Sequence, residues 1–207
     1  QLVDLLSQIA LIAPESATRA AARAASAALV RGVIATSAAP GEDEDDMVAI
    51  RLWVGEVLGP ENSQQITDWY TFSHVIHGMI FYGLTALVVP RAPIVVRLGL
   101  ALGIEIAWEL AENSPTVIEH YRSQALAQGY VGDSILNSLS DTLAMTAGFV
   151  LARMLPARAT VAMALAFEIF TAVTIRDNLT LNVIQLIHPV PAIAAWQSGL
   201  AEARTMR

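Results

Sequence analysis

The chain has no cysteine, which excludes disulfides and thiolate metal sites and leaves its redox compartment open. Charge is scarce as well. Only 15% of the 207 residues are charged, against about a quarter in an ordinary soluble domain. No basic cluster is large enough to hold nucleic acid, so no nucleic-acid partner is expected. The usual signatures of catalysis are missing too: no His-Glu-x-x-His, no Glu-x-x-His di-iron pair and no nucleophile elbow. What remains is apolar, 55% of the chain, with mean hydropathy +0.51. These residues come in long blocks, which points to a membrane protein.

Taken in order, the blocks predict an all-α protein: an integral membrane helical bundle of about four spans with extensions at both ends. Residues 1–46 form an N-terminal amphipathic arm and linker, and residues 47–207 the membrane domain. The arm is Ala-rich with Arg19, Arg23 and Arg31, a transit-peptide-like or membrane-surface composition that ends at Pro40-Gly41 and Glu42-Asp-Glu-Asp-Asp46. The chain opens at Gln1, so a start methionine and a leader are expected ahead of it. Residues 47–69 read as interfacial, with Glu61-Asn62-Ser63 offering caps for a helix. Spans are expected at about 72–89, 94–111, 133–155 and 157–175, with Pro115 ending the second and a polar loop over 116–132. Residues 179–196 are interrupted by Pro189 and Pro191, and are expected to be a short re-entrant or interfacial helix.

Arg91, Arg97, Arg153 and Arg158 all fall at the two short connections between spans one and two and between three and four. The positive-inside rule puts those loops in the cytoplasm, or in the matrix of a mitochondrial relative. The opposite end then gathers the polar motifs. Glu105, Glu109 and Glu112 recur at i, i+4 and i+7, on one helical face. His74 and His77 enter from span one, Asp133, Asn137 and Asp141 from span three, and Arg176 and Asp177 from the end of span four. Carboxylates on an apolar helix cost about 2.5–3.5 kcal/mol each at the bilayer centre, so a set of them reads as a functional site.

Three chemistries compete for this cluster. His74, His77, Glu109 and Asp141 can bind a divalent metal, with imidazole and carboxylate suiting Zn or Fe. A His and a carboxylate can act as acid and base on a lipid or small polar substrate. A proton or ion can move along the acids as in carriers, although no internal repeat supports that. The plain alternative is cohesion, with polar side chains hydrogen-bonding across the bundle at about 1 kcal/mol or less each. On that reading Arg176 neutralises Glu112 or Asp177, and His77 donates to Asp141. Glu168, alone in span four, is either a lid on the cavity or a contact with a partner helix.

The motifs Glu61-Asn-Ser-Gln64, Asp68-Trp-Tyr70, Ser73-His74, His77-Gly78, Trp108-Glu109, Glu112-Asn-Ser-Pro115 and Tyr121-Arg122 are distinctive together. With Gly132-Asp-Ser134, Asn137-Ser138, Ser140-Asp-Thr142 and Arg176-Asp-Asn178, they resemble an uncharacterised alphaproteobacterial inner-membrane family, a domain of unknown function, over about residues 52–197. The resemblance implies a multi-pass membrane protein and no particular reaction. It also implies a hydrophobic span and a cysteine-containing segment ahead of Leu52-Trp53. Here the acidic linker stands in that place.

The expected function is an accessory subunit of a larger membrane complex, respiratory or photosynthetic. Its arm would dock on neighbouring subunits, with membrane lipids as partners and a bound lipid. The alternative is a membrane-embedded, metal-dependent enzyme. The expected location is a bacterial or mitochondrial inner membrane.

Overall fold

The computed structural model describes residues 50–124, 126 and 130–205, all within one compact unit, Ala49–Arg207. The arm and acidic linker expected over 1–46 lie outside the described residues. Within them the fold is helical: α1 Thr71–Val88, α2 Ile94–Glu112, α3 Pro115–Arg122, α4 Ile135–Met154, α5 Ala157–Ile175, α6 Leu179–Ile187 and α7 Pro191–Thr205. No strand occurs among the described residues. Among the described residues three helices are long and apolar enough to cross a membrane: α1, α4 and α5. α2 is 19 residues long but carries Arg97, Glu105, Glu109 and Glu112. The expected second span therefore has the length but not the apolar composition.

α1 and α4 pack against each other more extensively than any other pair. Two glycines make this possible. A Cβ on Gly78 would stand 1.9 Å from the Met145 carbonyl oxygen, and one on Gly148 would stand 2.0 Å from that of Val75. Only hydrogen fits at either place, so the two backbones touch, as small residues permit between membrane helices. Gly83, also in α1, meets nothing within 4 Å. Toward the arginine-bearing connections, Ala101, Met145 and Phe149 form a fully buried core flanked by Phe81, Tyr82 and Leu98. Arg97 is tied to this end. Its guanidinium lies 4.7 Å from the Tyr82 ring centre and donates to the Tyr82 carbonyl at 2.9 Å.

The other end is closed by loops. Residues 50–70 form turns rather than the helix that Glu61-Asn62-Ser63 was expected to cap. Asp68 explains why: its carboxylate accepts from the Ser63 amide at 2.9 Å and the Tyr70 amide at 2.8 Å, folding the segment onto itself before α1 begins. The segment is then pinned to the start of α4. Gln64 donates to the Gly132 carbonyl, the Ser134 amide to Ser63, and Asn137 to the Gln65 carbonyl. Gly132 has φ +98, and a Cβ there would lie 2.9 Å from Asn113 Oδ1, so glycine is needed twice over.

Pro115 does not simply end α2. It occupies the first turn of α3, where its missing N–H costs nothing, so the expected polar loop contains a two-turn helix. Pro191 plays the same part in α7, and the expected C-terminal helix is two, α6 and α7, parted at His188-Pro189-Val190. At 9 and 15 residues, both are shorter than the roughly 20 residues a crossing needs. Glu168 proves to be a helix cap. Its carboxylate accepts from the Leu179 amide at 3.0 Å and the Thr180 amide at 3.1 Å, satisfying orphan donors at the start of α6.

Candidate functional site

The centre of the site is Glu105, whose side chain has no exposed surface. Its two oxygens face two imidazoles: Oε1 is 2.7 Å from His74 Nδ1, and Oε2 is 3.1 Å from His77 Nδ1. The i, i+3 spacing of the histidines on α1 puts both rings on the face toward α2. Each Nδ1 faces the carboxylate, which leaves each Nε2 turned away from Glu105. A buried carboxylate behind an imidazole is the arrangement that orients a metal-binding or proton-accepting histidine. The His77 ring is further fixed between Phe81, stacked at 5.5 Å, and Trp108, edge-on at 5.7 Å.

One turn along α2, Glu109 is 7% exposed, and neither of its oxygens has a hydrogen-bond partner. His74 Nδ1 stands 3.5 Å from Oε1, at ion-pair distance, and the Ser138 hydroxyl faces the carboxylate and favours its charged form. Leaving such a group unpaired costs several kcal/mol, so it calls for an explanation. Donor atoms of His74, Glu109 and Glu112 lie within 4.8 Å of one another, as do those of His74, His77 and Glu105. On the far side of the His74 ring, Asp141 Oδ2 is 3.8 Å from Nε2, and Thr71 donates to Oδ1 at 3.3 Å. Thus Glu109 and Asp141 of the expected metal set flank His74 at opposite ring nitrogens. His77 is engaged by Glu105 rather than donating to Asp141.

His74, Glu112 and Asp141 form one wall of a cavity of about 420 Å3. Asn137 lies beside them, and Asp133 and Asp177 line it further on. Tyr130 donates to Asp133 at 2.9 Å, and Asn113 both accepts from the Asp133 amide and donates to its carboxylate. Burial raises the Asp133 pKa above the ordinary carboxylate value, and the Tyr130 hydroxyl opposes that rise. Asp177 is pushed up to about 6 by burial, against hydrogen bonds from the Asn178 amide and the Tyr70 hydroxyl. Burial also drives the phenols of Tyr70, Tyr121 and Tyr130 upward, with nearby carboxylates adding to it, so they stay protonated donors.

Arg176 is the one expected member that turns elsewhere. It is in the left-handed conformation, φ 56, and donates to the Trp196 carbonyl at 2.8 Å. It forms no ion pair with Glu112 or Asp177 among the described residues. The lining also includes Asn182 and, from the Glu61-Asn-Ser-Gln64 motif, Asn62, together with Gln124 and Gln197, which the sequence reading did not single out. Asn62 arrives on the turns before α1, Gln124 just after α3, and Asn182 and Gln197 on α6 and α7.

Comparison with known proteins places the chain. The family model described as protein of unknown function (DUF2585) matches residues 46–199. A UPF0314 protein of Sphingopyxis alaskensis is 55% identical over 150 residues, covering 72% of this chain and 80% of that one. One from Brucella anthropi is 54% identical over 151 residues, covering 73% and 76%, and one from Paracoccus denitrificans 50% over 152, covering 73% and 79%. No solved structure matches. The chain belongs to the DUF2585 family, an alphaproteobacterial family of unknown function whose described fold here is helical, with three helices fit to cross a membrane.

Proposed function

We propose that this protein is a membrane-embedded enzyme that holds a divalent metal between His74, Glu109 and Glu112 and acts on a small polar molecule or lipid headgroup in the adjoining cavity. The observation that carries this reading is Glu109, a buried carboxylate with no hydrogen bond closed on either oxygen, whose ligand atoms lie with those of His74 and Glu112 within 4.8 Å of one another. A cation supplies the missing partner. One imidazole with carboxylates suits Zn, Fe or Mn. Such an ion would supply activated water at neutral pH. Asp141, at the other edge of His74, stands where a base can take up a proton. Cohesion of the bundle explains Glu105 with its two histidines, but it leaves Glu109 unaccounted for.

A bacterial inner membrane is the proposed setting, with the arginine-bearing connections on the cytoplasmic side by the positive-inside rule. The cavity then faces the opposite side, among membrane lipids. Docking to other subunits through the arm is the second reading; it rests on residues outside those described, so the metal takes precedence.

Elemental analysis of the detergent-purified chain tests the proposal. About one Zn, Fe or Mn per chain is expected, lost in His74→Ala and in Glu109→Gln while both variants stay monodisperse. Folded wild type that carries no transition metal, even after incubation with each ion and desalting, overturns it.

A further inference from the structure

By composition α2 is not a span, but its placement in the bundle says otherwise. α1 and α4 are parallel neighbours. Near their starts Thr71 donates to Asp141 at 3.3 Å and the Ser134 amide donates to the Ser63 carbonyl at 2.9 Å. Farther along, Gly78 and Gly148 bring the two backbones together. A chain that leaves by the far end of α1 must therefore return to the near end before α4 begins. α3 has only 8 residues, so α2 makes the return. Arg97, in its first turn, donates to the Tyr82 carbonyl toward the end of α1. Glu105 then meets His77 and His74, and Asn113, just past the end of α2, holds Asp133 ahead of α4. At about 1.5 Å per residue its 19 residues rise about 28 Å, close to the ~30 Å hydrocarbon thickness of a bilayer.

The side chains divide in the way a crossing requires. Ten residues of α2 are exposed. Six are Val95, Val96, Leu100, Ile104, Ile106 and Leu110, and the other four are glycine or alanine. None of the charged side chains is among them. Glu105 and Glu109 are buried, Arg97 is half-buried against Tyr82, and Glu112 lines the cavity. Charged residues within membrane helices almost always face the bundle interior, so the charges that set α2 apart describe its inner side alone. A helix turned to water would carry polar residues along the outer side. α1, at Leu84, Leu87 and Val88, and α5 present the same apolar kind of surface, which calls for an occupant that surrounds the bundle. Acyl chains do so. Gly99 and Gly103, with nothing within 4 Å of a Cβ, would admit a second copy of the chain, but that contact would cover one strip and leave the other faces bare.

We infer that α2 crosses the bilayer as a fourth span, its charged row turned into the bundle and its outward face laid against lipid acyl chains. Glu105 and Glu109 then stand at hydrocarbon depth, shielded from lipid by the helix that carries them. The inference rests on the membrane setting proposed above and not on the metal.

The chain has no cysteine, so single introduced thiols report sidedness without background. Ala92→Cys lies between α1 and α2, Thr116→Cys past α2, and Ala157→Cys at the connection between α4 and α5. Each full-length variant is expressed in a bacterial inner membrane, and spheroplasts are treated with a membrane-impermeant maleimide before and after lysis. Thr116→Cys should label in intact spheroplasts, and the other two only after lysis. The mirror pattern upholds the crossing and reverses only the side assigned to the arginine-bearing connections. Ala92→Cys and Thr116→Cys reacting from one side, or Ala92→Cys and Ala157→Cys from opposite sides, overturns the crossing. The occupant is read from spin labels attached at Val96→Cys, Leu100→Cys and Ile104→Cys in phosphatidylcholine vesicles. Collisions with oxygen should exceed those with a water-soluble nickel chelate at all three positions. An excess of nickel collisions, or low collision with both reagents and spin–spin broadening from a second copy, overturns the lipid assignment. Metal content is measured on the same variants. Metal without the crossing removes only this inference, and the crossing without metal removes only the enzyme reading.

Discussion

α2 and α5 are both 19 residues long, yet they do opposite work. α5 is the most apolar of the three candidate spans, and only 11% of it is buried. Val161, Leu165, Ile169 and Val173 project outward from it. α2 carries too many charges to count as a span, yet its acids hold the middle of the site, with Glu105 wholly enclosed. The helix easiest to recognise as membrane-spanning contributes only contacts and one cap. The helix that breaks the hydropathy pattern carries the chemistry. Hydropathy therefore reports what faces lipid, and departures from it report what faces the protein's interior.

Substitutions can break that contrast, beginning with the interface on which α2 leans. Gly78→Leu or Gly148→Leu forces side-chain atoms into the opposing backbone. The cost should be about 3 kcal/mol or more, read as loss of monodisperse protein in detergent, whereas Gly83→Leu should be tolerated. Next come the acids of α2. Glu105→Gln leaves the proposed metal ligands in place but removes the carboxylate that aligns both imidazoles. Metal affinity should fall about 10–100-fold, measured by competition with a chromophoric chelator; unchanged affinity would detach Glu105 from the site.

Charge at the bundle end gives a pH test. Asp177 titrates near 6 when folded and near 3.9 when unfolded, so between those values the folded state holds the extra proton. Stability from this group is therefore full below about pH 4 and falls as pH rises to about 6. Melting temperature should drop across that window in wild type, and less steeply in Asp177→Asn.

The smallest effects belong to α5. Glu168→Gln should cost about 1 kcal/mol by weakening the cap of α6, seen as faster amide exchange at Leu179 and Thr180. Val173→Leu, on the outward face, should change melting by no more than the experimental scatter.

Much of this contrast was legible in the chain itself. The i, i+4, i+7 row set Glu105, Glu109 and Glu112 on one face, and helix alternation brought His74 and Asp141 to their depth. α5 begins and ends where Pro156 and Arg176-Asp177 indicated. What escaped depends on contacts between distant residues. Nothing near Glu168 reveals that the chain doubles back to offer it the Leu179 and Thr180 amides. Nothing near Gly78 separates it from Gly83, since only the approach of Gly148 makes one indispensable and the other free. Arg176 looked like a counter-ion because it sits beside acids in sequence, yet its backbone turns left-handed and carries the guanidinium to Trp196. Asn62 and Gln124 lie in segments without periodicity, where no helical face predicts a direction.

The glycine contact between α1 and α4 also bears on how anything reaches the interior. Two backbones already touching cannot slide closer, and prying them apart would strip both of their closest packing. The pair is thus a fixed floor. The cavity is lined instead by Val57, Leu58, Gly59, Pro60 and Asn62 on one loop and by Tyr130 and Val131 on another, so a tether between these two loops should slow exchange more than a change of bilayer thickness does.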